Sequence, residues 1–139
     1  MADRNFLQQL GRSSRAMYGA FESLVGHPLP RWRILKALDE LKTASQKQLA
    51  VHLQMDPGAL TRQLKVLEAE QLVRRETDPD DNRQTLVSLG EAGQSLLRDA
   101  APLRQRFFDQ ALDGLAADEL DAATKVLRLL EERFRQMTR

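Results

Sequence analysis

Residues 45–89 read SQKQLAVHLQMDPGALTRQLKVLEAEQLVRRETDPDDNRQTLVSL. Ser45 predicts the start of a short helix through Leu53, because its hydroxyl can cap the first free backbone N–H groups. Asp56-Pro57 is a stronger start signal, since it places an acceptor at the cap and a proline in the first helical turn. We expect this second helix to end near Gln71. The short link between the two helices is the spacing of a helix-turn-helix.

The residues that follow change from helical to strand-like patterning. Leu72–Thr77 and Gln84–Leu89 carry Val, Thr and Leu in partial alternation, and they flank the polar segment 78–83, DPDDNR. Alternating strands around a turn-rich segment predict a β-hairpin with a long tip.

Helices are also predicted on the N-terminal side of this region. Apolar residues at steps of three and four indicate a helix over 6–25, which Gly26 and Pro28 end. Pro30 suits the first turn of the next helix. Its predicted buried face comprises Ile34, Leu35, Leu38 and Leu41.

Two further helices are predicted on the C-terminal side. One follows Gly90 and ends at Gly114, and the last places Leu120, Leu127 and Phe134 seven residues apart. That repeat is typical of a coiled-coil seam. The whole pattern predicts a mainly α protein with a small β-hairpin wing.

The composition narrows the functional classes. The 139 residues are 42% hydrophobic, enough for one domain with a core, and the absence of cysteine excludes disulfides and thiolate metal sites. No apolar run approaches the roughly 18 residues of a membrane span, so we expect a soluble, cytoplasmic protein. The net charge of +1 divides into +5 over residues 1–75 and −4 over 76–139. A basic front half favours a polyanionic partner.

The helix predicted from Pro57 has a distinct polar face. With its leucines buried, the opposite face carries Gly58, Thr61, Arg62 and Lys65. This face combines a small residue that permits close approach with a hydroxyl and two cations. Such groups suit phosphate contacts and base reading in a major groove. The alternative is the solvated face of an ordinary packed helix.

The hairpin adds three arginines to this surface. Arg74 and Arg75 lie on the incoming strand, and Arg83 follows the acidic tip. An arginine on an extended hairpin can enter a minor groove, where the negative potential is concentrated. Asp81, two residues away, can accept a hydrogen bond from Arg83 and fix its direction. The alternative is a turn with an ordinary surface ion pair.

These segments together resemble a known family. Residues 45–50 (SQKQLA), 56–62 (DPGALTR) and 67–75 (LEAEQLVRR) resemble the winged helix-turn-helix of the MarR (multiple antibiotic resistance regulator) family, and 78–89 resembles its wing. Family members carry an Asp-x-Arg pair at the wing tip that orients the arginine into the minor groove.

The match at the wing tip is close, and one departure follows it. Asp81 and Arg83 stand where the family has its Asp-x-Arg pair. After the last wing strand, where the family usually has Thr-x-x-Gly, this chain has Gly90-Glu91-Ala92-Gly93. The missing hydroxyl weakens the expected cap of the fifth helix and leaves the DNA-binding residues unchanged.

The resemblance implies a domain organisation and a function. One MarR-type domain over 1–139 would contain a winged helix-turn-helix over about 30–90 and dimerisation helices over 1–25 and 91–139. The implied activity is that of a homodimeric repressor that binds a pseudo-palindromic operator in double-stranded DNA, with no catalysis, cofactor or metal. The resemblance adds Ser45, Gln46, Pro57 and Ala59 to the DNA-contacting set. The implied dimer interface comprises Leu7, Leu10, Phe107, Leu120, Leu127, Leu130 and Phe134.

The resemblance also implies a regulatory ligand. Members of the family commonly bind small aromatic or phenolic anions between the dimerisation helices and the winged domain. An apolar cavity with an arginine and aromatic walls suits such an effector, and the candidate residues are Arg15, Tyr18, His27, Arg31 and Trp32. The alternative for Tyr18 and Trp32 is a role as aromatic anchors of the core.

Two other functional classes stay open at this point. A helical protein could use this fold to bind a small molecule without binding DNA, or an enzyme could act in a pocket near Trp32. Salt-dependent binding to promoter DNA separates the first interpretation from both. His52 and Asp56 have metal-ligand spacing, but the predicted turn separates them. No catalytic arrangement of residues is recognisable.

Overall fold

The described residues, which comprise the backbone of 2–138 and the side chains of 4–138 of this computed structural model, form six helices and three short strands. The fold class predicted from the sequence, a mainly helical winged helix-turn-helix, is confirmed. The elements in chain order are α1 (Ala2–Val25), α2 (Leu29–Leu41), β1 (Thr43–Ser45), α3 (Gln46–Leu53), α4 (Pro57–Ala69), β2 (Val73–Thr77), β3 (Thr85–Leu89), α5 (Glu91–Leu112) and α6 (Ala117–Met137).

The wing hairpin is part of a three-stranded antiparallel sheet with the order β1-β3-β2. Val87, in the middle of β3, pairs with Ala44 on one side and with Arg75 on the other. The two hairpin strands begin one residue later than predicted. The sequence did not indicate β1, because a strand of three residues is too short to show alternation.

The end of α4 turns the chain towards β2. The helix stops at Ala69, two residues before its predicted end, and Gln71 adopts a left-handed conformation with φ of 63°. The Leu72 N–H donates to the Leu67 carbonyl at 2.9 Å, and the Gln71 N–H donates to the Glu68 carbonyl at 2.9 Å. This pair of bonds is a Schellman motif, in which glycine usually takes the left-handed position.

The start of α5 lies directly against this turn, and two glycines make the contact possible. A Cβ at Gly90 would lie 2.4 Å from the carbonyl oxygen of Gln71, and a Cβ at Gly93 would lie 2.2 Å from that of Leu72. No side chain fits at either distance, so the backbone can approach only at glycine. The Gly90 N–H also donates to the Leu72 carbonyl at 2.9 Å. The two glycines therefore fix where α5 begins relative to the helix-turn-helix.

Two apolar clusters hold the first part of the chain together. The larger cluster joins α2, α3, α4 and the sheet, and Ile34, Leu35 and Leu38 of the predicted face are fully buried in it. Leu41, the fourth member of that prediction, is 39% exposed, because it is the last residue of α2. The prediction was wrong at this position.

The smaller cluster joins α1, α2 and α5 around Trp32. Phe21 lies edge-on to Trp32 with ring centroids 5.7 Å apart, and Phe107 lies edge-on to Phe21 at 5.4 Å. Trp32 is therefore a core anchor, as one interpretation of the sequence proposed. Tyr18 is 51% exposed and belongs to neither cluster, so the same interpretation was wrong for Tyr18.

The chain divides into two compact units between Phe107 and Phe108. The first contains α1 to α4, the sheet and most of α5. The second contains the end of α5, the turn at Gly114, where φ is 77°, and α6. None of the described residues of α6 is buried. Among the helices of the described part of the chain, none is long and apolar enough to cross a membrane.

Candidate nucleic-acid interface

The first helix of the helix-turn-helix begins with a complete capping box. The Ser45 hydroxyl accepts from the Gln48 N–H at 3.0 Å, and the Gln48 side chain accepts from the Ser45 N–H at 3.0 Å. The predicted cap is confirmed. Because Ser45 is only 4% exposed and its hydroxyl is in this cap, it lies beneath the surface that the sequence proposed for DNA contact. Gln46, the next residue, is half-buried.

The second helix, α4, also begins as predicted. The Asp56 carboxylate accepts from the Ala59 N–H at 3.0 Å, and Pro57 occupies the first turn. Pro57 and Gly58 are exposed, while Ala59 is half-buried. The cap thus orders the first turn of α4 and leaves the small residue Gly58 open to a partner.

The polar face of α4 is arranged as the helical spacing predicts. Its three leucines are buried, Arg62 and Lys65 are exposed, and Thr61 is half-buried. One guanidinium nitrogen of Arg62 lies 3.6 Å from the position that a Cβ at Gly58 would occupy. The guanidinium therefore lies beside the first turn, where its N–H groups can reach an acceptor in front of the helix.

The tip of the wing is ordered by one carboxylate. The Asp81 carboxylate accepts from the Arg83 N–H at 3.1 Å, from Arg83 Nε at 3.3 Å and from the Gln84 side chain at 3.4 Å. The Arg83 side chain is 88% exposed, so the contact with Asp81 sets its direction without covering it. The backbone closes the tip through the Asp78 N–H, which donates to the Gln84 carbonyl at 3.0 Å.

The two arginines of β2 lie in different surroundings. Arg74 is exposed, and within residues 4–138 no ion pair involves it. Arg75 is half-buried and bonds to the Glu68 carboxylate through Nε at 3.2 Å and Nη2 at 2.9 Å. These bonds hold the pKa of Glu68 below its ordinary value, against a smaller opposing effect of desolvation. The sequence predicted both arginines on the DNA-binding surface but did not indicate Glu68, because no local pattern connects α4 to β2.

The predicted ligand residues lie in different surroundings. Trp32 is buried, Arg15 and Tyr18 are exposed, and His27 is half-buried. Arg31 forms an ion pair with Glu70 at 2.8 Å, which ties α2 to the end of α4.

An open cavity of about 620 Å³ lies between α2, β3 and α5. Of the five predicted ligand residues, only Trp32 lines it. The guanidinium carbon of Arg104 lies 5.9 Å from the centre of the Trp32 ring. Other charged residues around the cavity are Lys36, Asp39, Lys42 and Arg98. The helical spacing of Trp32 and Lys36 is visible in the sequence, but their juxtaposition with α5 is not.

The residues proposed for a dimer interface keep apolar surface open. Leu7, Leu127 and Phe134 are exposed, and the remaining four are partly exposed. Val126, Leu129 and Met137 of α6 are also exposed. Several exposed apolar side chains on one helix are typical of a surface that a partner covers.

No metal-binding cluster is found within the described residues, where no group of three or more His, Asp or Glu side chains could hold an ion. His52 is exposed. The side chains of this surface carry cations, amides and hydroxyls, groups that suit an anionic partner.

Comparison with known proteins also indicates a DNA-binding regulator. The model of the MarR family matches residues 28–85. The chain is 31% identical over 117 residues to the uncharacterized HTH-type transcriptional regulator YdgJ of Bacillus subtilis. The matched region covers 84% of this chain and 71% of the relative.

Two solved structures share the fold. A mutant MarR from E. coli complexed with operator DNA superposes with a TM-score of 0.83 at 21% identity and covers 88% of this chain and 91% of that one. The PcaV regulator of Streptomyces coelicolor in complex with its natural ligand gives 0.82 at 22% identity and covers 89% of each chain.

Proposed function

Because this chain belongs to the MarR family of transcriptional regulators and is a DNA-binding protein rather than an enzyme, we propose that it is a homodimeric repressor of a pseudo-palindromic operator. The observation that carries the proposal is the exposed face of α4, with Arg62 and Lys65, together with a wing whose Arg83 is held open by Asp81. Each protomer acts as one MarR-type domain over the whole chain.

The face of α4 provides the contacts in the major groove, which is wide enough to admit a helix. Arg62 reads a base edge or a closely held phosphate, and Lys65 neutralises a phosphate. Gly58 allows the start of the helix to approach the DNA backbone. Pro57 and Ala59 flank Gly58 in the same turn and shape this contact.

The wing provides the second contact. Arg83 enters the minor groove beside the half-site, where the phosphates concentrate negative potential. Arg74, exposed on β2, adds a phosphate contact. Occupation of two half-sites by a dimer blocks access to the promoter, which gives repression.

Substitution on α4 tests the DNA contacts. We expect Arg62→Ala to weaken operator binding by about 1–3 kcal/mol. Lys65→Ala should weaken binding to specific and to non-specific DNA equally, and it should reduce the salt dependence of binding by the contribution of about one phosphate contact. Lys125→Ala on α6 removes the same charge outside the proposed interface and serves as the control. Unchanged affinity of both α4 variants across salt concentrations would refute the assignment, and a wild-type protein without salt-dependent DNA binding would favour the ligand-binding alternative.

We further propose that a small aromatic acid releases the repressor from DNA. The ligand-bound PcaV structure supports a ligand site within this fold. The cavity beside Trp32 offers a tryptophan ring and the cations Lys36 and Arg98 for a carboxylate. Among the residues proposed from the sequence, Arg15, Tyr18, His27 and Arg31 do not line this cavity.

Quenching of Trp32, the only tryptophan, provides the assay. Aromatic acids that quench Trp32 should bind Arg98→Ala less tightly than Arg15→Ala and should weaken operator binding. A coupling of about 1–3 kcal/mol between the two affinities is expected for a working switch. Ligands that quench without a change in operator affinity would refute the regulatory role.

A further inference from the structure

Arg75 is the centre of a polar network that joins three elements. From β2 its guanidinium bonds to Glu68 on α4 through two nitrogens, at 2.9 and 3.2 Å, and its third nitrogen donates to the Gln46 side-chain oxygen on α3 at 3.3 Å. The side chain is only 20% exposed. All three guanidinium nitrogens are therefore bonded to side chains of the protein.

The network continues from Gln46 to the start of α4. The Gln46 amide nitrogen donates to the Thr61 hydroxyl at 3.2 Å, and that hydroxyl donates to the Pro57 carbonyl at 2.9 Å. Because arginine has no acceptor, Arg75 must bind the oxygen of the Gln46 amide, and the amide nitrogen then faces Thr61. The orientation of Gln46 is thereby fixed, with one N–H and one lone pair left for another partner.

The network closes a loop through the DNA-facing part of the fold. It runs from the last turn of α4, through β2 of the wing, to the first residue of α3, and back to the first turn of α4. Side chains of adjacent strand residues point to opposite sides of a sheet, so Arg74 lies outside this hydrogen-bond network. Two neighbouring arginines with the same charge thus have different surroundings.

We propose that Arg75 is a positioning residue for sequence-specific DNA recognition. It contacts no DNA phosphate; it fixes the wing relative to α4 and presets the amide of Gln46. Its charge is balanced by Glu68 on the protein, so it releases no counterion when DNA binds. Loss of Arg75 therefore loosens the geometry on which sequence reading depends, while non-specific attraction to DNA persists. This inference rests on the proposed operator binding.

The test compares Arg75→Gln with Arg74→Gln, which removes the same charge from the neighbouring position. Each variant is titrated across salt concentrations with a duplex that the wild-type protein selects from a randomised library and with a scrambled duplex of equal composition. For Arg75→Gln we expect a loss of about tenfold, or about 1.4 kcal/mol, on the selected duplex, with little change on the scrambled one. Its salt slope should equal that of the wild type. Arg74→Gln should lose affinity equally on both, with a slope shallower by about 0.9.

A second pair of variants leaves both arginines in place. Glu68→Ala removes the partner of Arg75, and Glu76→Ala removes an equal charge from the exposed side of β2. Loss of a carboxylate near DNA raises affinity if charge alone matters. We expect Glu76→Ala to bind both duplexes slightly tighter and Glu68→Ala to bind the selected duplex more weakly. Thermal unfolding of every variant establishes that it is folded.

The outcomes separate this inference from the proposed function. If Arg75→Gln loses affinity equally on both duplexes with a shallower slope, or if Glu68→Ala behaves as Glu76→Ala does, Arg75 is a phosphate contact and the inference is overturned. Glu68→Ala alone decides the question if Arg75→Gln does not fold. A wild-type protein that selects no duplex instead overturns the operator proposal, on which the inference rests.

Discussion

Replacement of Asp81 by alanine tests the role of the wing most sharply, because charge and geometry predict opposite signs. The carboxylate accepts three hydrogen bonds, two of them from Arg83. Removal of a negative charge close to DNA should favour binding. Loss of the bonds that direct Arg83 should oppose it.

The two effects can be compared in magnitude. A carboxylate at about 10 Å from a phosphate repels it by about 0.4 kcal/mol in water before screening by salt. An unrestrained arginine loses up to about 2 kcal/mol of rotamer entropy when it is fixed. Since the Arg83 side chain is 88% exposed, Asp81 is its main restraint among the described contacts. We therefore assign to Asp81 about half of this entropy cost. The geometric effect exceeds the repulsion, so we expect Asp81→Ala to weaken operator binding by about 0.5–1 kcal/mol, or two- to fivefold.

The assay is a fluorescence anisotropy titration of an operator duplex at fixed salt. Asp80→Ala is the matched control, because Asp80 carries the same charge in the same tip and contributes only its backbone N–H to the turn, through Asp78. We expect Asp80→Ala to bind DNA slightly tighter than the wild type. If Asp81→Ala gains affinity to the same extent, Asp81 acts only as a charge and the argument for its role is refuted.

Three further predictions concern the scaffold. Gly93→Ala places a methyl group 2.2 Å from a backbone oxygen and should lower the free energy of unfolding by about 1–3 kcal/mol in urea titrations, whereas Gly19→Ala, with nothing within 4 Å, should not lower it. Leu127→Asp introduces a carboxylate into the proposed dimer face and should shift the protein towards monomer in sedimentation, and a wild-type monomer at micromolar concentration would contradict the dimer. Arg75 lowers the folded-state pKa of Glu68, so the ion pair stabilises the fold at a pH above the unfolded-state pKa and ceases to do so as the pH falls through the folded-state pKa. The difference in unfolding free energy between wild type and Arg75→Gln should therefore shrink on acidification. A difference that stays constant with pH would contradict the ion pair.

The sequence predicted the parts of this fold that local signals determine. Ser45 and Asp56-Pro57 mark helix starts by the chemistry of their own side chains, and both caps form. The polar tip between two alternating strands predicted the wing in the same way. The face of α4 followed from helical spacing alone, since burial of its leucines leaves Arg62 and Lys65 exposed.

The parts that the sequence did not predict depend on contacts between distant segments. Arg75 and Gln46 are 29 residues apart, and no repeat or spacing relates them. The strand β1 forms only because β3 offers it a partner. The interpretation of Trp32 as an aromatic anchor was correct. The cavity beside Trp32 is shaped by α5, and the sequence predicted that helix without indicating that it packs beside Trp32.

Selection of DNA from a randomised duplex library by the wild-type protein tests the central claim most directly. Two copies of α4 held by a dimer should enrich an inverted repeat whose half-sites lie about one helical turn, or 10–10.5 base pairs, apart. Enrichment of such a repeat is the result that we predict. Recovery of a single half-site, or of no shared sequence at all, would contradict the account of a homodimeric operator-binding repressor.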